Sequence, residues 1–222
     1  MELYDVMRTT FAAREFTDEA LPDAVLHDIL DNARFAPSGG NRQGNRVIVV
    51  RDAETRGRIA ALVEGPAKRY IAQIKAGESP WNTVVPSRVT AQEIANTDAP
   101  AMLTEPYIKA PVVLVFTVDL RAVAATDQDL DRIGVIGGAS VYPFVWNVLM
   151  AARQAGFGGT ITTLLAAVEP EIRALLNIPE GFAVCAAVPL GRPVKQLTKL
   201  RRNAVEEIAT RERFDGEPFT VG

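Results

Sequence analysis

The run Pro111-Val-Val-Leu-Val-Phe-Thr-Val118 constrains the fold most. Successive side chains of a strand point to opposite faces, so an almost unbroken apolar run needs cover on both sides. The segment therefore reads as the central strand of a sheet. Arg46-Val-Ile-Val-Val50 and Phe182 to Leu190, the latter closed by Gly191 and Pro193, read as further buried strands. Helical spacing marks Leu3 to Thr9, with Leu3, Tyr4 and Met7 on one face. A second helix opens at Pro22 and ends before Pro37, carrying Val25, Leu26, Ile29, Leu30 and Ala33. Asp52 caps a short helix bearing Ile59, Leu62 and Val63, and Pro170 to Asn177 forms another short one.

Ile136 to Gln154 reads as a long helix that is apolar nearly all round, with Tyr142, Trp146 and Met150 as a second stripe. Such a helix must be covered on every side, by its own core or by another subunit. Pro143 implies that its regular hydrogen bonding begins only near Ser140. Strands and helices that do not alternate argue for an α+β fold.

Between residues 64 and 110 the pattern breaks down. Prolines punctuate the stretch, and only Tyr70 to Lys75 looks helical. An irregular insertion of this length is a lid over a site, with Tyr70, Trp81 and Tyr107 facing a ligand, or a loop pinned to the core by those aromatics. The 222 residues contain no repeat, linker or low-complexity segment, so a single domain is expected.

Composition narrows the function classes. Cys185 is the single cysteine and lies in an apolar run, where a reduced thiol is the default. The N-terminus lacks the basic start and apolar middle of a secretory leader, and no apolar run is long enough for a bilayer. A cytoplasmic protein without a membrane partner is expected. Net charge is −3 with scattered basic residues, which argues against a nucleic-acid partner. The one histidine, His27, falls on the polar side of its helix. No metal-ligand cluster, nucleophile pair or phosphate-binding P-loop is present in the sequence. Gly156-x-Gly-Gly follows a helix, the wrong order for a dinucleotide fingerprint. An enzyme so poor in reactive side chains leans on a bound organic cofactor.

The richest local signal is Ala33 to Val50, where a helix passes through Pro37-Ser-Gly-Gly-Asn-Arg-Gln43 into a strand. Gly39 and Gly40 allow close backbone approach, and Asn41 and Gln43 add amides that donate and accept. Such a loop suits the edge of a heteroaromatic ring, or an ordinary turn.

Taken in order, Arg14 before Glu15-Phe16, the Pro37–Gln43 loop, Ala139-Ser-Val-Tyr-Pro143, the Asn147–Arg153 helix, Gly156-Phe-Gly-Gly-Thr-Ile161 and Lys199-Leu-Arg201 resemble the nitroreductase family of flavin enzymes. The resemblance implies a nitroreductase-like α+β fold, with a central mixed or antiparallel sheet flanked by helices, and an intertwined homodimer with FMN at the subunit interface. It implies hydride transfer from NADH or NADPH to flavin N5, then to an electron-poor small-molecule acceptor such as a nitroaromatic, quinone or enone. By motif position Arg14, Lys199 and Arg201 would clamp the phosphate. Pro37, Ser38, Gly39, Asn41 and Gln43 would line the ring and ribityl chain, and Gly158, Gly159 and Thr160 would approach N5. Thr10 opens the remaining cofactor position. There Thr10-Phe-Ala12 replaces the family's usual Arg-Arg-Ser or Arg-His-Ser, so Arg8 or Arg42 would have to supply the missing contact. Gln43-Gly-Asn45 replaces the usual Gln-Pro-Trp. Relatives that use a deazaflavin, that dehalogenate their ligand, or that bind flavin without turnover stand as alternatives.

Overall fold

Val112 to Phe116 are inaccessible to solvent because helices cover both faces of the strand they form. A computed structural model describes residues 1–221. In chain order the elements are α1 (Leu3–Thr9), α2 (Asp23–Ala33), β1 (Asn45–Val50), α3 (Ala53–Lys75), α4 (Ala91–Ala95), α5 (Ala101–Lys109), β2 (Val112–Asp119), α6 (Tyr142–Gln154), β3 (Gly158–Gly159), α7 (Glu169–Leu176), β4 (Phe182–Gly191) and α8 (Val205–Ile208). The sheet order is β1-β2-β4-β3, and each of these pairings is antiparallel.

Period-two alternation divides the core. Val112, Leu114, Phe116 and Val118 point to one face, where α2 and α6 contribute Leu26, Ile29, Val145 and Val148. Val113 and Val115 point to the other, against Ile59 and Val63 of α3 and Ile172 of α7. Phe116 meets Phe144 edge-on at 5.7 Å, a favoured aromatic geometry. The β2–β4 register shifts after Phe116, which opposes Ala186 while Thr117 opposes Val184. Cys185 is the extra residue of this bulge, and the phenol of Tyr142 donates to its carbonyl at 3.3 Å.

Most helices lie where periodicity puts them. Asp52 caps α3 by accepting the Thr55 N–H at 2.7 Å. Regular hydrogen bonding of α6 begins at Tyr142, with Pro143 in the first turn and a 3₁₀ turn over Ile136–Ser140 before it. His27 is exposed.

The stretch from 64 to 110 departs from expectation. α3 is not short; it continues through Pro66 to Lys75, and α4 and α5 follow. A mid-helix proline removes one hydrogen bond and costs about 3 kcal/mol. The buried stripe of Ile59, Val63, Pro66 and Ala67 outweighs that cost by packing against the sheet and the 3₁₀ turn Leu164–Val168. Only residues 76–90, 96–100 and 110 remain irregular. Among the described residues, no helix is long and apolar enough to cross a membrane.

Two outcomes follow from this core. Phe116→Ala should cost about 3–5 kcal/mol, seen as a lowered urea midpoint at unchanged slope; a loss below about 1 kcal/mol would mean the two layers do not interlock at this ring. Burial, aided by the negative charge of Glu169, pushes the Cys185 thiol up to about 11. Its thiolate fraction at pH 8 is then roughly 100-fold below that of an ordinary thiol. Iodoacetamide should therefore label Cys185 slowly at pH 8 and progressively faster toward pH 11; rapid labelling at pH 7 would contradict this placement.

Candidate functional site

The end of α1 hands the chain to an extended segment that runs along the β3 edge of the sheet. Ala13 N–H donates to the Gly159 carbonyl at 3.0 Å, Thr17 N–H to Arg192, and Val194 N–H to Glu15. Gly159 lets the β3 edge itself approach β4: a Cβ there would lie 2.4 Å from the Pro189 carbonyl oxygen and 2.8 Å from Val188 Cγ1. Arg14 and Thr160 are thereby brought to one cavity of about 830 Å³. That volume lies within the range of small-molecule sites.

The remaining walls come from the stretch between 64 and 110 and from the chain after β3. Tyr70, Ile71 and Ile74 line the cavity from the last turns of α3, and Met102, Leu103, Pro106 and Tyr107 from α5. Trp81 lines it from the intervening loop, and Thr162, Thr163 and Leu164 face it from the segment after Thr160. All three aromatics singled out in the sequence thus border the space that Arg14 and Thr160 share. Tyr107 is nevertheless no lid residue. It is 1% exposed and belongs to the core beneath α3, its phenol donating to Thr162 Oγ1 at 3.3 Å. Burial pushes that phenol well above its usual range, against the smaller opposing effect of the Thr162 contact.

Trp81 sits at a left-handed backbone (φ 55°), a strained choice for a bulky residue. Its backbone N–H donates to Oε1 of Gln73 at 3.2 Å, and Gln73 is 2% exposed. The Arg69 guanidinium lies 4.1 Å from the centroid of the Trp81 ring. Gln73 was missed in the sequence because a single amide within the apolar spacing Ile71, Ala72, Ile74 looks like a surface position. Thr162 and Thr163 carried no signal beyond adjacency to Thr160.

Other expected contacts lie elsewhere. The Thr10 hydroxyl donates to the Val6 carbonyl at 2.7 Å, and Thr10 is buried outside the cavity lining. Gly158 and Gly159 form β3 and are buried as part of the sheet edge rather than as a free turn. Lys199 and Arg201 are exposed and outside the lining, although Gln196 ties the preceding chain to the Thr9 carbonyl at 3.0 Å. Among the described residues, no carboxylate pairs with Arg8, Arg14, Lys199 or Arg201.

The Pro37–Gln43 loop stands apart from all of these. Gly40, Asn41 and Gln43 have φ values of 60°, 53° and 50°, a tight turn held by Ser38 Oγ accepting from Gln43 N–H and by Ser140 Oγ accepting from Gly39 N–H. Its exit, Asn45, opposes Val118, whereas Gly158 opposes Gly191 beyond Leu190, the partner of Val112. The loop and the Arg14–Thr160 cavity therefore occupy diagonally opposite corners of the sheet. The separation is roughly 20 Å along the strands and about 14 Å across them. Within one chain they do not meet. Among the described residues, no group of His, Cys, Asp and Glu side chains is placed to hold a metal ion.

Comparison with known proteins agrees with this architecture. An iodotyrosine deiodinase from Nematostella vectensis is 27% identical over 212 residues, 93% of this chain and 74% of the relative. A nitrobenzene nitroreductase from Ectopseudomonas oleovorans is 26% identical over 204 residues, 84% of this chain and 85% of the relative. The solved structure of an oxidized iodotyrosine deiodinase bound to FMN and 3-iodo-L-tyrosine superposes with a TM-score of 0.69 at 23% identity, over 96% of this chain and 100% of that one, and so shares its fold. The family model described as the nitroreductase family matches residues 7–192, a span that includes Arg14, the Pro37–Gln43 loop and Thr160 and stops short of Lys199. On that match, across nearly the whole chain, the protein belongs to the nitroreductase family.

Proposed function

We propose that this protein is an FMN-dependent oxidoreductase that draws hydride from NADH or NADPH and reduces an electron-poor acceptor, working as a homodimer. The observation that carries this reading is the meeting of Arg14 and Thr160 in one cavity that, among the described residues, no carboxylate lines. A flavin mononucleotide is a flat apolar ring tied to a phosphate dianion. Aromatic and aliphatic walls suit the ring, and an unpaired guanidinium suits the phosphate. Arg14 would hold the phosphate, with Lys199 and Arg201 adding charge from the exposed segment beside it. Thr160 and the backbone of Gly158 and Gly159 would border the ring. Bound FMN would supply a two-electron carrier between nicotinamide and acceptor.

The chain's own residues then bind, orient and exclude water. Tyr70 and Trp81 offer faces on which an acceptor ring can stack. Among the described residues, the lining contains no carboxylate, imidazole, thiol or amine, and the Tyr107 phenol is held protonated. Protons for the acceptor therefore come from solvent or from the substrate itself.

A second copy of the chain accounts for two further features. Leu3, Tyr4 and Met7 on α1, with Tyr142 and Trp146 on α6, present apolar surface to solvent. A two-fold axis would cover those faces and bring the Pro37–Gln43 loop of one protomer toward the Arg14 cavity of its partner. Pro37, Ser38, Gly39, Asn41 and Gln43 would contact the flavin only in that way. A second reading, reductive dehalogenation of an aromatic ligand, is favoured by the similarity to iodotyrosine deiodinases across 93% of the chain. It uses the same flavin site and differs in the acceptor.

Purified protein should carry a flavin spectrum that bleaches on anaerobic addition of NADH or NADPH. A yellow protein inert to both would leave only flavin binding, and a colourless one that takes up deazaflavin would replace the cofactor. Replacing Lys199 and Arg201 together by Ala should weaken FMN binding about 100-fold or more with circular dichroism unchanged, since each charge-assisted contact is worth roughly 1.5–3 kcal/mol. Stoichiometric FMN after exhaustive dialysis of the double variant would remove these residues from the clamp.

A further inference from the structure

We infer that Gln73 is a positioning residue for the ligand side of this cavity: its buried amide fixes Trp81, so that the indole stands as a preformed wall before any ligand enters. The inference deepens the proposed function, and its kinetic arm rests on that reading. Its first support is the loop that carries Trp81. Residues 79–87 form a compact loop with tied ends, because Glu78 accepts from Ser87 Oγ at 2.6 Å and from Arg88 N–H at 2.8 Å. Inside the loop the bonds are local turns. The Ser79 carbonyl accepts from Asn82 N–H, and Asn82 Oδ1 accepts from the N–H groups of Val84 and Val85. Val84 and Val85 are exposed, and Trp81 is itself 37% exposed, so apolar burial does little to locate the loop. Its internal bonds set its shape and leave its place against the cavity open.

Gln73 supplies that place. It stands on α3, whose last turns line the cavity, and it is buried. Its side-chain oxygen accepts from the Trp81 backbone N–H, and its backbone carbonyl accepts from Glu78 N–H at 2.9 Å. The Ser87 hydroxyl and the Arg88 N–H hold the Glu78 carboxyl below the usual carboxylate range, and the Gln73 amide adds to them. One side chain fixed in the core thus reaches both the middle of the loop and its base. A buried amide is costly unless its hydrogen bonds are made, and an apolar residue would pack there without that cost. The polar choice is explained by what the amide holds.

A competing anchor needs weighing. Arg69, one turn before Gln73 on α3, places its guanidinium 4.1 Å from the indole centroid. A cation–π contact at an exposed ring is weak, and a long flexible side chain follows the ring wherever it goes. Gln73 instead holds the backbone, and Trp81 needs that hold. Its φ of 55° lies in the left-handed region, which a bulky residue leaves once released. Loss of the Gln73 bond therefore turns the ring out of the cavity wall, and Arg69 moves with it.

The test removes the accepting oxygen and keeps a similar volume. The chain has two tryptophans, so a Trp146→Phe background leaves Trp81 as the only indole. There Gln73→Leu should raise acrylamide quenching of the Trp81 emission about 2-fold or more, with circular dichroism unchanged. In the parent background Gln73→Leu should raise KM for nitrobenzene about 5-fold or more, with kcat within about 2-fold and flavin content equal. A double-mutant cycle identifies the route: in a Trp81→Ala protein the same change should move KM by less than about 2-fold. Unchanged quenching in the folded variant overturns the inference, and so does an equal KM effect with and without the indole. In the unmodified protein the Trp81 backbone amide should exchange its hydrogen at least about 10-fold slower than that of Thr83, after correction for intrinsic rates. Equal protection overturns the inference whether or not the variant folds. Quenching and exchange need neither cofactor nor turnover. A colourless protein inert to NADH and NADPH sinks the flavin reading while both are still read, so the two failures are distinguishable.

Discussion

A side chain at position 159 would overlap the Pro189 carbonyl, so glycine there is what lets β3 lie this close to β4. Residues 12–17 lie along β3 and the end of β4, and the β3 edge so placed offers the Gly159 carbonyl to Ala13 N–H. Arg14 is the next residue. Its guanidinium is therefore placed by a backbone contact rather than by a charge partner. Among the described residues, the cavity lining holds a single cation and no anion to neutralise it. Sequence acts on backbone, backbone on charge, and charge on what the cavity can hold.

The cavity is firm on one side and lightly held on the other. Its floor is core: Tyr107 is wedged among Ile59, Val63 and Leu165, and β2 behind them is buried on both faces. Its rim, residues 76–90, hangs on a few side-chain anchors. Gln73 holds Trp81, Glu78 holds Ser87 and Arg88, and Val84 and Val85 are exposed at 85% and 63%. Segments with few buried apolar contacts open at lower free energy than the core around them. The rim is accordingly the least firmly held wall of the cavity, and Gln73 is the buried side chain that anchors Trp81 to it.

Much of this was legible in the sequence because periodicity reports burial directly. The run from Val112 announced a central strand, and the apolar spacings announced α2 and α6. Pro66 misled, because a local rule for breaking a helix meets a non-local gain that only the folded neighbours supply. Gly158 and Gly159 carry no side-chain pattern, so their place in the sheet was invisible in the sequence. The bulge at Cys185 was equally hidden, since one extra residue leaves the apolar count unchanged while redirecting the side chains on either side. Tyr107 and Trp81 looked alike in the sequence. What separates them is that one faces the underside of α3 and the other hangs on a buried amide.

The partition of the motifs across the sheet has a consequence of its own. In the sequence the Pro37–Gln43 loop and the Arg14 and Thr160 positions belong to one ordered set, yet in the fold they stand at opposite corners of a sheet whose central strand is fully buried. A rigid sheet cannot fold its corners together, and among the described residues no long flexible connection links the loop to β1; it enters the strand within two residues. Joining them within one chain would therefore require the loop to cross the width of the sheet. If the loop and the cavity serve one ligand, the joining must be done by symmetry, with each copy completing the site of the other. The same operation would bury the apolar faces of α1 and α6, so one assembly step would answer both the surplus of exposed apolar surface and the division of the binding motifs.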